Sequence, residues 1–287
     1  MKRIIDIITA ATGHLAEKGI DNARLEVELM LGSALGLSRL DLYMAFDRPL
    51  PEEDLEKFRN MCRRRLAHEP LQYIIGSTGF REIEVKTDRR ALIPRPETEL
   101  LVEHAVRYLR EIDNPLVADI GTGTGIIAIS IAYEVKGSQV VAVDISDDAL
   151  ALARHNAIQA GVDDRVRFVA GDMLHALDGL GHFDAILSNP PYVRSGDIEG
   201  LDPEVNGFEP RQALDGGLNG LRFLDVIASD AHKALKPVGL LMLECADDQA
   251  GDIASTAKST GQYSGIEILT DLAGKRRLVQ ALKTSDD

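Results

Sequence analysis

Along the first 75 or so residues the apolar positions recur three and four apart. Ile4, Ile5, Ile8, Ala11 and Leu15 predict one helix, and Leu25, Leu29 and Leu35 mark a second, with Asp21 as its N-cap. Pro51 followed by Glu52, Glu53 and Asp54 opens another, with acid in its first turn, and Glu69-Pro70 ends it. From Gly76 to about Ile93 the period shortens to two. Glu82-Ile83-Glu84-Val85-Lys86 alternates strictly, which predicts a half-exposed strand and a β-hairpin joining two parts of the chain. After Pro94-Arg95-Pro96, Glu97 to Tyr108 returns to helical spacing through Leu100, Leu101 and Ala105. Beyond Pro115 strands and helices alternate. Leu116–Ile120, Gln139–Asp144, Arg165–Ala170, Phe183–Ser188 and Val238–Glu244 read as strands, and Gly125–Tyr133 and Asp147–Ala160 as helices. Alternation of this kind predicts an α/β fold with a parallel sheet covered by helices on both faces. Ile266–Leu269 and Arg277–Leu282 predict a terminal antiparallel hairpin. Val193 to Gly220 has little periodicity, and a loop of that length in a compact domain is more often functional than idle.

A chain of 287 residues is long for one core, so about two domains are expected. The boundaries are drawn at 1–75 for a helical domain, 76–95 for the hairpin linker and 96–287 for the α/β domain. No apolar run approaches the length of a membrane span, and Met1-Lys2-Arg3-Ile4-Ile5-Asp6 reads as a helix start rather than a leader, so a cytoplasmic, membrane-free protein is expected. Cys62 and Cys245 lie far apart and reduced, and neither they nor the scattered histidines form a metal spacing. The net charge of −14 is uneven: residues 1–75 are near neutral and the remainder carries the acid. Tight binding to a nucleic-acid backbone draws on a basic face. Arg63-Arg64-Arg65 is the local exception, and a solvated helix face accounts for it.

Candidate chemistry sits at the strand ends. Asn189-Pro190-Pro191-Tyr192 follows the strand Phe183–Ser188, and two prolines cannot continue a ladder, so the strand stops there. In open α/β sheets ligands bind at that end. An Asn side-chain oxygen and a proline carbonyl side by side can accept both hydrogens of an NH2 group, and the tyrosine ring can cover its face. Gly121-Thr122-Gly123-Thr124-Gly125 follows the first strand of the α/β part and opens a helix, letting backbone amides approach a ligand. Asp144, 19 residues after Gly125, suits two ribose hydroxyls. A dinucleotide fingerprint would need glycine at position 126, where Ile126 stands, and Asp119 beside the loop suits a cationic amino-acid group better than a pyrophosphate. Gly171-Asp172-Met173 can meet an adenine with a carboxylate and an apolar face, although Asp172 also reads as a helix N-cap.

Taken together, Gly121 to Gly125, Asp144, Asp172 and Asn189 to Tyr192 resemble the class I S-adenosylmethionine-dependent methyltransferases that carry an Asn-Pro-Pro-Tyr motif. Glu69-Pro70-Leu71-Gln72-Tyr73-Ile74-Ile75-Gly76 and Leu92-Ile93-Pro94-Arg95-Pro96-Glu97-Thr98-Glu99 narrow the resemblance to the release factor glutamine methyltransferases, the HemK/PrmC family. Phe208 to Arg211, Ala213 to Gly217 and Asp271 to Gly274 look like the same family. The likeness covers nearly the whole chain, the first 65 or so residues matching only as a helical domain of the right size. It implies a Rossmann-like sheet of roughly seven strands, a small all-helical N-terminal domain for substrate recognition, and a β-hairpin linker. It also implies methylation of the glutamine nitrogen in the Gly-Gly-Gln motif of class-I peptide chain release factors. One departure stands out: Glu244 is followed by Cys245-Ala246 where the family usually has Ile or Val and then Gly, so Ala246 is expected to tighten the wall near the cofactor.

On this reading S-adenosylmethionine is held by Asp119, Gly121, Thr122, Gly123, Thr124, Gly125, Asp144, Asp172, Met173 and Asn189. Asn189, Pro190, Pro191 and Tyr192 form the substrate site. Asn189 and the Pro190 carbonyl accept the amide hydrogens, Pro191 locks the turn and Tyr192 stacks on the amide. Glu97 reads as a helix-start acid and Phe80 as packing, and Glu209 and Arg211 are candidates for ordering the long loop. The rival readings are an adenine N6-methyltransferase for DNA or RNA, a nicotinamide-dependent oxidoreductase and a non-catalytic module. The oligomeric state stays open, with a monomer as the default.

Overall fold

The computed structural model describes residues 2–285, and by compactness these divide into two units. The first comprises residues up to Ser77 together with Asp202–Phe208, and the second the rest. In the first, helices α1 (Ile4–Glu17), α2 (Ala23–Leu35), α3 (Arg39–Met44), α4 (Glu52–Leu66) and α5 (Leu71–Ile75) enclose a core of Ile4, Ile8, Leu15, Val27, Met30, Leu31, Leu42 and Phe58. The helical period seen in the sequence is the stripe that reaches this core. Helix α2 starts differently from the expectation: Asn22, not Asp21, holds the N-cap position, in the left-handed region at φ 52°, and makes no side-chain capping bond. Asn tolerates that conformation better than most residues, so a tight turn replaces a polar cap.

Two ionic clusters are buried in this unit. The Glu28 side chain, 1% exposed, accepts from Arg24 (2.9 Å), Arg39 (2.7 Å) and the Tyr43 hydroxyl (2.9 Å). Burial alone would raise its pKa, and these donors outweigh burial and hold it below the ordinary range. The Arg65 guanidinium, 6% exposed, donates to Glu26 at 2.5 Å and to Glu204 at 2.6 Å. Glu204 lies on the short helix α9 (Pro203–Phe208), so this fork ties the distant segment into the helical core.

The second unit begins at Thr78, inside the hairpin of β1 (Ser77–Phe80) and β2 (Ile83–Lys86), and Phe80 packs into the core as expected. Helix α6 (Pro96–Leu109) follows, then β3 (Leu116–Ile120), α7 (Ile126–Glu134), β4 (Gln139–Asp144), α8 (Asp147–Gln159), β5 (Val166–Ala170) and β6 (Phe183–Ser188). After α9 come α10 (Arg222–Asp230), β7 (Leu235–Glu244), α11 (Ala250–Ser259), β8 (Tyr263–Thr270) and β9 (Arg276–Lys283). Seven strands form one sheet in the order β5-β4-β3-β6-β7-β9-β8. β5 through β7 run parallel, and β9 and β8 form the antiparallel hairpin the tail predicts, with β9 paired to β7. Two apolar clusters cover its faces, one built on Leu101, Val106, Ile129 and Ala132, the other on Leu224, Ile227, Ile253 and Leu241. Among the described residues no helix is long and apolar enough to cross a membrane.

Replacing Arg65 by Ala leaves Glu26 and Glu204 facing a half-buried void without their cation. Urea unfolding should report a loss of roughly 3 kcal/mol in the helical unit. Limited proteolysis should cut faster within 202–208. An unchanged urea midpoint with unchanged cleavage would show that the fork carries no stability.

Candidate active site

Strand order reverses between β3 and β6. Chain order runs outward from β3 through β4 to β5 on one side, and β6 and β7 lie on the other. The carboxyl ends of β3 and β6 therefore open a crevice between the loops that leave them. The register sets Ile120 beside Ser188, and the Ser188 hydroxyl donates to the Ile120 carbonyl at 2.7 Å, stitching the two ends together. Gly121 follows one end and Asn189 the other. Both open onto a cavity of about 460 Å³.

The glycine loop is held from below and from the side. The Gly121 and Thr122 amides both donate to the Val143 carbonyl at 2.9 Å. Asp144, at the tip of β4, accepts from the Gly123 amide (2.9 Å) and the Ser146 amide (2.9 Å), one on each carboxylate oxygen. Each oxygen keeps a further acceptor position toward the cavity. Asn156, fully buried on α8, donates to the carbonyls of Thr124 (2.9 Å) and Lys86 (3.1 Å) and accepts from the Lys86 amide (2.9 Å). It locks the end of the loop to the hairpin. Gly125 sits at φ +85°, and a Cβ there would lie 2.9 Å from Ile129 Cδ1 and 3.0 Å from Ala153 Cβ. The last glycine therefore lets α7 start hard against α8.

Of the residues the sequence singled out, the cavity wall holds Gly121, Thr122, Gly123, Thr124, Asp144, Asp172, Met173, Asn189, Pro190 and Pro191. Asp172 makes no side-chain capping bond, so its carboxylate is not spent on the short helical turn it precedes. Met173 adopts φ 50°, a conformation that costs a non-glycine residue energy and that concentrates at functional sites. Three others are placed elsewhere. Gly125 lies behind the wall for the packing reason just given. Asp119 is fully buried beneath the loop, where one carboxylate oxygen accepts from the Thr122 hydroxyl (2.6 Å) and the Ala128 amide (3.1 Å) and the other has no partner. It braces the loop rather than facing a ligand. Tyr192 is also off the wall: its ring packs at the edge of an apolar cluster. Burial drives the Tyr192 phenol well above its ordinary pKa. Ala246 does not tighten the wall either. Its amide donates to Gln249 Oε1 at 3.1 Å, in the turn leading to α11.

Several contributors were not legible in advance. Thr98 on α6 lies on the wall, accepts from Asn189 Nδ2 at 3.1 Å and donates to Glu244 Oε2 at 2.8 Å. Ile145, beside Asp144, is 61% exposed yet lines the cavity, an apolar face presented to a ligand. Pro210, Gln212 and Ala213 of the long loop also line it. Glu209, suspected of ordering that loop, does so: its buried carboxylate accepts from the Ile93 amide (3.3 Å) and from Arg95 Nη2 (2.5 Å). Arg211 stays exposed, 3.7 Å from Asp215. Glu97 stands in the first turn of α6, 3.7 Å from Arg277.

A switch-point crevice with a glycine loop on one side and an acceptor pair on the other is the architecture of the Rossmann-like class I methyltransferases. Comparison with known proteins agrees. Residues 6–76 match the family description "PrmC N-terminal domain" and residues 96–200 match "Methyltransferase small domain". The release factor glutamine methyltransferase of Chlorobaculum tepidum is 40% identical over 276 residues, covering 93% of this chain and 93% of that protein. The one from Geobacter sulfurreducens is 45% identical over 249 residues, 87% of this chain and 86% of its own. A methyltransferase structure from Pyrococcus furiosus superimposes with a TM-score of 0.51 at 18% identity over 80% of this chain and 98% of that one, a likeness of fold. The chain belongs to the release factor glutamine methyltransferase family.

Burial raises Asp119 and Glu244 each to about 7. Both carboxyls are near 4 in the unfolded chain. The native state thus retains protons that the unfolded state releases, so their contribution to stability is present below about pH 4 and is lost as pH rises through about 7. The urea midpoint should fall between about pH 5 and about pH 8. The fall should be smaller in Asp119→Asn, and a variant curve parallel to the wild type would show that Asp119 does not titrate in this window.

Proposed function

We propose that the chain transfers a methyl group from S-adenosylmethionine to the side-chain N5 nitrogen of the glutamine in the Gly-Gly-Gln motif of class-I peptide chain release factors. The observation that carries this reading is the placement of Asn189 and Pro190 at the tip of β6, on the wall of the cavity that the Gly121–Thr124 loop also lines. The family membership supports the same substrate class.

The cofactor fits the residues present. The cavity is of the volume that small-molecule sites occupy. Asp144 has acceptor positions left for ribose hydroxyls, and Ile145 and Met173 offer apolar surface for a nucleobase, with the Asp172 carboxylate beside them. The exposed edges of the Gly121–Thr124 backbone are left for the amino-acid end. When bound, the cofactor supplies a methyl group on a positively charged sulfur, so the leaving group is already activated.

What remains for the protein is to hold and aim a poor nucleophile. A carboxamide nitrogen shares its lone pair with its own carbonyl. Asn189 Oδ1 and the Pro190 carbonyl accept one N–H each, which fixes the nitrogen and favours the positive charge that grows on it. Pro191 keeps the turn from relaxing. The excess proton leaves the nitrogen after the new N–C bond has formed. Tyr192, partly buried against the apolar cluster beside this turn, is the ring assigned to stack on the amide. The helical unit, residues 1–77 with 202–208, is assigned to recognition of the release factor, on the strength of its match to the family's N-terminal domain.

Incubation with labelled S-adenosylmethionine and, in turn, a release factor, the same factor with its motif glutamine replaced, duplex DNA and RNA separates the rivals. Label is expected only in the intact factor. Label in nucleic acid, or label surviving the glutamine replacement, would overturn the assignment. Asn189→Ala should lower kcat about 10²- to 10³-fold and leave most of the cofactor affinity. For Asp144→Ala, calorimetry should read a loss of cofactor affinity of about 100-fold. Wild-type affinity in that variant would contradict the ribose assignment.

A further inference from the structure

The wall residue Asn189 has an amide that could point either way, since its oxygen and nitrogen are nearly the same size. Only one orientation can serve the reaction: Oδ1 must face the substrate to accept a hydrogen, and a flipped amide would present Nδ2 and repel an N–H donor. The residues behind it settle which orientation is stable. Thr98 Oγ1 lies 3.1 Å from Asn189 Nδ2 and 2.8 Å from Glu244 Oε2. Thr98 is 2% exposed and Glu244 1% exposed, so water does not compete for either group.

A hydroxyl has one hydrogen to give. Once Glu244 is ionised, above about pH 7, its oxygens accept and do not donate, so that hydrogen goes to Glu244. The lone pairs are then what Thr98 shows to Asn189, and only the NH2 end of the amide can meet them. A flipped Asn189 would set Oδ1 against the same lone pairs, leaving two buried acceptors in contact and a donor unpaired, which is costly where water is excluded. We infer that Thr98 and Glu244 are positioning residues that lock the Asn189 amide with its oxygen toward the cavity, through the chain Glu244, Thr98, Asn189. The inference rests on the reading of Asn189 as the acceptor of a substrate N–H.

The three residues come from separate elements. Glu244 ends β7, Thr98 lies in the first turn of α6 and Asn189 follows β6. Around Glu244 stand Tyr192 from the turn after β6, Arg277 from β9 and Glu97 from α6, while Cys245 follows it in the chain. Tyr192 and Arg277 favour its ionised form, and Glu97 opposes it.

The test compares Thr98→Val, which keeps the shape and removes the hydroxyl, with Thr98→Ser, which keeps the hydroxyl. Methyl transfer to the release factor and cofactor affinity by calorimetry are measured for both. Thr98→Val is expected to lose about 10- to 100-fold in kcat with cofactor affinity and KM for the release factor within about threefold of wild type. Thr98→Ser should recover most of the loss. Wild-type kcat in Thr98→Val overturns the relay. So does a Thr98→Ser variant as impaired as Thr98→Val, because packing and not the hydroxyl would then be at work. Should Thr98→Val fail to fold, Glu244→Gln decides: its amide can offer Thr98 a donor as readily as an acceptor, so the relay requires a fall in kcat, and wild-type kcat refutes it. An Asn189→Ala enzyme that stays active, or a wild type that leaves the factor unlabelled, would instead remove the underlying reading. A dead Asn189→Ala beside a fully active Thr98→Val removes the relay alone.

Discussion

Parallel pairing between β3 and β6 is the constraint on which the site depends. These strands are 68 residues apart at the Ile120–Ser188 contact, yet their register places two loops at the same height above the sheet. One loop brings the Gly121–Thr124 backbone to the crevice, the other brings Asn189 and Pro190, and the crevice between them exists because the strand order turns around at that point. A slip of one residue would flip Ser188 away from the Ile120 carbonyl and carry Asn189 out of line with the glycine loop. The apolar clusters on both faces of the sheet make that slip prohibitive, since every buried side chain of the strand would change sides. Burying the sheet thus also positions the chemistry.

The buried carboxyls divide the work of holding this arrangement. Glu209 and Glu28 are fully partnered and act as clasps, one over the cavity and one within the helical unit. Asp119 has one satisfied oxygen and one orphan beneath the glycine loop, and Glu244 leans on a threonine hydroxyl. The last two are therefore the ones burial pushes up to about 7. The difference lies in the donors: arginines neutralise the first pair, while hydroxyls and backbone amides support the second.

Much of this was legible in the sequence because it is local. Two prolines end a strand wherever they stand, a glycine loop before a helix announces a backbone approach, and Asp144 follows at a spacing fixed by one βαβ turn. The sheet followed from alternation in the same way. What was not legible depends on contacts with no local signature. The bond from Asn189 to Thr98 spans 91 residues and that from Thr98 to Glu244 spans 146. Within the chain Thr98 reads only as one more residue in a helix start, and Glu244 as the end of an apolar strand. The excursion of Asp202–Phe208 into the helical unit depends on Arg65, which the charge pattern offered as part of a solvated face. Adjacency in sequence to a motif does not place a residue on the cavity wall: Ala246 turns toward α11, and Tyr192 packs at the edge of an apolar cluster.

On the proposed reading, the acceptor pair would also let the site do without a strong base. Proton removal before attack would require a group able to deprotonate a carboxamide, far outside the reach of any ordinary side chain. Removal after attack is easy, because an alkylated amide nitrogen is a strong acid. Between those limits the barrier depends on how well positive charge is tolerated while the N–C bond forms, and in the proposed reaction two fixed oxygens would supply that tolerance without reorganising. Fixed is the operative condition. The Pro190 carbonyl is held by the backbone and needs no further help. A side-chain amide is free to rotate, so the burden of preorganisation falls on whatever keeps Asn189 from turning over, and among the described residues the hydrogen bond behind its nitrogen is the one to the Thr98 hydroxyl.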